Sequence, residues 1–284
     1  MSSPQSEQKQ LEQLAEALRA FPKKSEEPVK QEWLNKYKLS EIWPKGYELC
    51  KALCNLPNGI LEHSGRFLYS DISTLREHDP KLNKLNYYIL GINPAGEPDD
   101  YHILRDEISQ WFTKNQNAFI DEPWPPTNII KGNDPYQLDV KELCRTIGED
   151  TCKVCASNLI FERSNGSKNL KCSKLNPSFV RNVYWPVHKA VMDIVKPNII
   201  FVFGITAYKI VYGILKIECG LRPKIKKHSG CSNKIFYMDE GYSKDGQPLK
   251  LFGIPYPNYG FRLAGHWFLP KIAEECRITL RAKS

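Results

Sequence analysis

With 284 residues, 40 Lys and Arg against 32 Asp and Glu, and a formal charge of +8, the chain can bury a full core, and its basic balance suits a polyanion without requiring one. No apolar stretch approaches the roughly 20 residues of a membrane-crossing helix, and Met1-Ser2-Ser3-Pro4-Gln5 lacks a basic region followed by an apolar one, so a cytoplasmic protein with no membrane partner is expected. Nine scattered cysteines speak against a secreted disulfide framework and for reduced thiols.

Leu11, Leu14, Ala15, Leu18 and Phe21 recur at helical spacing before the breaker Pro22, which predicts an amphipathic helix packed on its own domain, with a partner-binding role as the less favoured alternative. It belongs to an N-terminal helical extension placed at residues 1–45, ahead of one α/β domain at 46–284. Helical signals over Tyr47 to Leu56 end at Pro57-Asn58-Gly59. A strand at 86–92, a loop to Tyr101 and a helix near 103–114, with Ile103, Ile108 and Trp111 inward, form a β-loop-α unit. Residues 115–135 read as a long loop, in which Asp121-Glu122-Pro123-Trp124-Pro125-Pro126 is too proline-rich for helix. A helix at 136–147, a strand from Ala156 to Phe161 and a turn at Ser164-Asn165-Gly166-Ser167 come next. Trp185-Pro186 opens a helix whose Val187, Val191, Ile194 and Val195 share a face, and Pro197 ends it before the buried strand Ile199 to Phe203. A helix from Thr206 to Leu215, strands near 234–238 and 249–254, and a helix from His266 to Leu280 complete the pattern. This alternation predicts a three-layer α/β/α sandwich with a mostly parallel central sheet.

Two segments carry the chemistry. In Tyr87-Tyr88-Ile89-Leu90-Gly91-Ile92-Asn93-Pro94-Ala95-Gly96 an apolar run drops into a loop of Asn, Pro and Gly, and Leu251-Phe252-Gly253-Ile254-Pro255-Tyr256-Pro257-Asn258-Tyr259-Gly260 repeats the pattern. Ligands in open α/β sheets bind beyond the carboxyl ends of strands, so both loops are positioned for recognition or chemistry. Taken alone, Asn93 reads as a turn-former before proline and Asn158 as a satisfied strand-end amide.

On Gly91-Ile92-Asn93-Pro94 the chain resembles the uracil-DNA glycosylase superfamily, whose first motif is Gly-x-Asn/Asp-Pro, with the closest likeness to its mismatch-specific uracil/thymine branch. Ser157-Asn158-Leu159-Ile160 is similar to the family's strand-end Asn that reads the base. Pro197 to Gly204, followed by Ala207, is similar to its later strand, glycine and helix, and the likeness covers roughly residues 85 to 282. The second motif departs from the pattern, because Tyr256-Pro257-Asn258 stands where the family has His-Pro-Ser.

The resemblance implies a monofunctional DNA glycosylase that flips a nucleotide and hydrolyses its N-glycosidic bond, with no metal or cofactor, acting as a monomer on DNA in repair or in defence against modified phage DNA. Asn93 is then the residue whose carbonyl holds the attacking water, since an amide has no group titrating near neutrality. Tyr256 or Asn258 would donate to the departing base, with His266 as runner-up. Asn158 would match a pyrimidine edge with one donor and one acceptor. Fast uracil-specific members place a Tyr after the Pro, whereas Ala95 here removes that barrier at pyrimidine C5 and implies tolerance of 5-substituted bases.

Phe119 and Trp124 offer rings to stack on an extruded base or to pack in the core. Phe261-Arg262-Leu263 follows the second motif where family members insert a wedge. Lys224, Lys226, Lys227 and His228 would grip phosphates or form a solvated face. Glu97, Asp99 and Asp100 read as solvated loop acids, with assistance to the water as the alternative. Cys152 and Cys155, with Cys172 farther on, lack the spacing of a four-ligand site and read as thiols. The rival readings are a non-catalytic DNA-binding protein on the same fold, which the missing second-motif His permits, and a small-molecule enzyme with a coincidental Asn-Pro loop.

Overall fold

The computed structural model describes residues 9, 12–13, 16–17, 32, 35–76, 85–94, 103–111, 116–124, 130–164, 175–225, 236–243, 245–256, 263 and 268–283. The chain forms two compact units, one of Met1–Leu68, Asn93–Asn115 and Asn158–Ile194, the other of Tyr69–Ile92, Gln116–Ser157 and Val195–Ser284. Leu11, Leu14, Ala15, Leu18 and Phe21, on which the expected N-terminal helix rests, lie outside the described residues.

The first unit contains α1 (Tyr47–Cys54) and α2 (Leu104–Trp111). Its core is a run of edge-to-face rings: Phe67 lies 5.3 Å from Trp111 and 5.7 Å from Phe161, and Phe161 lies 5.6 Å from Tyr184. Such contacts add roughly 0.5–1.5 kcal/mol each beyond area burial. Gly65 bridges to Glu162, and a Cβ there would stand 2.5 Å from the Phe161 carbonyl oxygen, so only glycine allows this approach.

The second unit holds the sheet, in the order β2-β1-β3-β6-β5-β4, formed by β1 (Tyr87–Gly91), β2 (Cys155–Asn158), β3 (Ile199–Phe203), β4 (Arg222–Ile225), β5 (Tyr237–Tyr242) and β6 (Pro248–Ile254). Asn158, the last residue of β2, is assigned to the first unit. Strands β1, β3 and β6 run parallel, with Tyr87 opposite Ile199 and Ile199 opposite Lys250. Strands β5 and β4 add an antiparallel edge, whose register shifts between Pro223 and Ile225, a tolerated place for a proline.

Helices α3 (Ala118–Asp121) and α4 (Pro135–Ile147) lead into the sheet from the 116–157 segment. Three features fix the start and stop of α4: a capping box between Asp134 and Gln137, Pro135 in the first turn, and Gly148 at φ +77 closing the C-terminus, each a favoured device at that position. Helices α5 (Pro177–Val183) and α6 (Trp185–Val195) follow, both in the first unit, α6 up to Ile194. The chain then adds α7 (Ile205–Cys219) and α8 (Phe268–Lys283).

Strand alternation sorts the second unit into layers. Ile199, Phe201, Phe203, Phe252 and Ile254 share a core with Val140 and Leu143 of α4 and Phe268 and Ile272 of α8. Gly253 points to the other face, where a Cβ would meet the Tyr208 ring of α7 at 2.7 Å, and α7 packs on β3 and β6. The expected α/β/α layering and parallel sheet centre are therefore present. No helix among the described residues is long and apolar enough to cross a membrane.

Candidate functional site

Two residues beyond β1, Asn93 is 6% exposed and its carboxamide sits in a cradle of acceptors. Its Nδ2 donates to the Pro94 carbonyl at 2.8 Å, to the Ser164 Oγ at 2.9 Å and to the Ser164 carbonyl at 3.3 Å. Carbonyl oxygens only accept, so the cradle fixes which end of the side chain is the NH2 group. Its carbonyl oxygen accepts no hydrogen bond among the described residues. The Ser164 amide closes the ring by donating to the Pro94 carbonyl at 3.1 Å. Ser164 was legible in sequence only as a turn residue, because its partner lies 71 positions away.

Asn158 is 2% exposed at the carboxyl end of β2. Just beyond it the first unit carries a buried polar set: Tyr184 donates its hydroxyl to Glu162, and His188 meets the Leu159 carbonyl at 3.1 Å. Burial lowers the His188 pKa to about 4, which keeps the ring neutral near pH 7 and makes it a core histidine. It was not singled out in sequence, and its burial gives no reason to treat it as catalytic.

The second unit builds an aromatic stack. Trp124 and Tyr136 lie 6.2 Å apart at 25°, and Tyr136 and Tyr256 lie 5.6 Å apart at 13°. Tyr136 is also edge-on to Phe203 at 5.4 Å. Gln137, fully buried, holds the segment that delivers Trp124, donating from Nε2 to the Ala118 carbonyl at 2.7 Å and the Glu122 carbonyl at 2.8 Å. Tyr256, two residues beyond β6, remains 39% exposed. Desolvation, then the nearby Tyr69 and Asp134, pushes its phenol up to about 12, so it is a neutral hydroxyl donor at physiological pH and carries no positive charge.

Two sequence expectations are corrected here. Phe119 is 1% exposed, stacked on Tyr69 at 5.1 Å and flanked by Trp124 and Tyr136. Its faces are occupied by protein, so it supports the stack from within the core and does not offer a surface to a base. Leu263 is fully buried and its amide donates to Asp139 Oδ1 at 2.9 Å, which removes it as a wedge. Ala95, Asn258, Phe261, Arg262, Lys226, Lys227, His228 and His266 lie outside the described residues, as do Glu97, Asp99, Asp100 and Cys172. Lys224 is described only as part of the backbone of β4.

Cys155 is buried in β2, where burial pushes its thiol up to about 12, and Cys152 is exposed. Among the described residues no group of three or more His, Cys, Asp and Glu is placed to hold a metal ion. What the described parts offer is an amide carbonyl of fixed orientation in the first unit and a part-exposed phenol ring in the second. Comparison with protein-family models and with curated proteins gives no match.

Proposed function

We propose that the protein is a DNA glycosylase of the uracil-DNA glycosylase type, which removes a uracil-like or 5-substituted pyrimidine and leaves an abasic site. The observation that supports it most is the orientation of Asn93: with its NH2 group held by two carbonyls and a hydroxyl, the amide presents a carbonyl oxygen that can hold a water. That water adds to the anomeric carbon as the C1′–N bond breaks. The bonding electrons leave with the base, and the water proton passes to solvent. An Asn cannot serve as general base, so its contribution is alignment of the nucleophile.

The second unit by itself carries in Tyr256 a neutral, part-exposed ring, backed by Tyr136 and Trp124, of the kind that stacks on a base. Its phenol is a weaker partner for a departing anion than a histidine cation, which favours slow turnover or an acidic leaving base. The same neutrality is the specific observation behind the rival, a protein that reads DNA and leaves its bases intact. DNA is the partner in both cases, with a cytoplasmic monomer as the working form.

The test is incubation with labelled DNAs bearing uracil, thymine mispairs, or 5-hydroxymethylated or glucosylated cytosine, followed by alkali to cut abasic sites. Breaks in the wild type that fall by roughly a hundredfold or more in Asn93→Ala support the reading. DNA binding without breaks on any substrate moves it to the non-catalytic reader.

A further inference from the structure

We infer that Ser164 is the positioning residue for the Asn93 carboxamide, and that the cradle it completes accepts an amide and rejects a carboxylate. The inference rests on the proposed function for its catalytic consequence, but its geometric half stands alone. Of the three groups facing Nδ2, the Pro94 and Ser164 carbonyls are acceptors under every condition. Only the Ser164 hydroxyl, 2.9 Å from Nδ2, can exchange acceptor for donor. A carboxylate at 93 would point an anionic oxygen at two carbonyl oxygens with a single hydroxyl to relieve it, which favours its protonated form.

Both partners are almost out of water, Asn93 at 6% and Ser164 at 7% exposed, so water substitutes poorly for a lost contact. The Ser164 amide also donates to the Pro94 carbonyl at 3.1 Å, tying the 93–94 turn to the strand-end segment after Phe161. A serine recruited only to make a turn would have no reason to direct its hydroxyl at the side chain of residue 93. Here it joins the same ring of contacts as its own backbone.

The experiment compares Ser164→Ala, Ser164→Thr and Asn93→Asp with the wild type, using single-turnover base excision across pH and hydrogen exchange of the Asn93 side-chain amide protons by NMR. Ser164→Ala is expected to lower kcat roughly tenfold at unchanged KM, the worth of one buried hydrogen bond, and to speed exchange of the Asn93 NH2 protons. Ser164→Thr, which keeps the hydroxyl, restores both, which a merely structural loss would not allow. Asn93→Asp is expected to gain activity as pH falls and the acid protonates, against a flat wild-type contribution from an amide that does not titrate.

Unchanged exchange and unchanged kcat in Ser164→Ala would overturn the inference, as would an Asn93→Asp enzyme most active at high pH. If the wild type excises no base at all, the glycosylase reading fails, and the exchange measurement alone decides the role of Ser164.

Discussion

Lys250 gives the sharpest test of how the second unit is held together. It lies on β6 at 6% exposure, with Nζ 2.5 Å from Glu275 Oε2, 3.2 Å from the Glu275 carbonyl and 3.3 Å from Glu240 Oε1. Glu275, on α8, is 3% exposed, and its other oxygen is 3.1 Å from Lys271. Lys250→Met keeps the volume and removes the charge, taking from the buried Glu275 carboxylate its cation at 2.5 Å while the part-exposed Lys271 stays at 3.1 Å. Breaking a buried pair from one side costs about 3–5 kcal/mol. Because Lys271 remains, the low end applies, about 3 kcal/mol, or a Tm drop of roughly 6–12 °C.

Replacing both partners, Lys250→Met with Glu275→Leu, removes the stranded charge, and stability should return to within about 1 kcal/mol of the wild type. Urea denaturation followed by far-UV circular dichroism measures Lys250→Met, Glu275→Leu, the double variant and the wild type. A single-variant loss below about 1 kcal/mol, or a double variant showing the sum of two large losses, would refute the account of the pair as a buried charge that tolerates joint but not unilateral removal.

Asp239 on β5 accepts a hydrogen bond from Tyr208, and burial raises its pKa from 3.8 to about 6. A raised carboxyl pKa contributes stability that is fully present below pH 3.8 and is lost as pH rises through about 6. Asp239→Asn should therefore flatten the decline of stability between pH 4 and 7, raising it at pH 7 by up to about 3 kcal/mol, and thermal melts across that range check it; an unchanged slope would refute the assignment. For Tyr256, single-stranded DNA affinity should fall roughly ten- to a hundredfold in Tyr256→Ala and hold in Tyr256→Phe. Equal losses in both, measured by fluorescence anisotropy, would transfer the role from the ring to the hydroxyl.

The elements legible in the sequence were those whose burial alone specifies them. Ile199 to Phe203 is a continuous apolar run between Pro197 and Gly204, and the strand occupies those five residues. Of the strand expected near 234–238, Lys234 and Ile235 lie outside the described residues, and the described strand runs on over Tyr237–Tyr242, because Asp239 and Glu240 look unlike strand residues until Tyr208 and Lys250 are found to pair with them. Strand β4 was not anticipated: Arg222-Pro223-Lys224-Ile225 has no alternation, and it is an edge held by its neighbour. Helix α5 was missed although Asn176-Pro177 supplies its cap. Asn93 and Tyr256 stood out because strand-end loops advertise themselves. Ser164 and Tyr136 did not, since a cradle and a ring stack exist only after distant segments meet.

The order of the sheet has a consequence for how the chain is made. Among the described residues β6 is the last strand to leave the ribosome, yet it sits between β3 and β5. Until it arrives, the fully buried strand Ile199-Ile200-Phe201-Val202-Phe203 has an open apolar edge of the kind that zips onto other chains. About 50 residues separate the end of β3 from the end of β6, so at 5–20 residues per second the nascent chain carries that edge for roughly 3–10 s. A ribosome that stalls or terminates before residue 248 would release a chain whose sheet centre is unpaired. The efficiency of production of this protein therefore depends on a stretch of translation that lies downstream of Asn93, Asn158 and the strand that needs protecting.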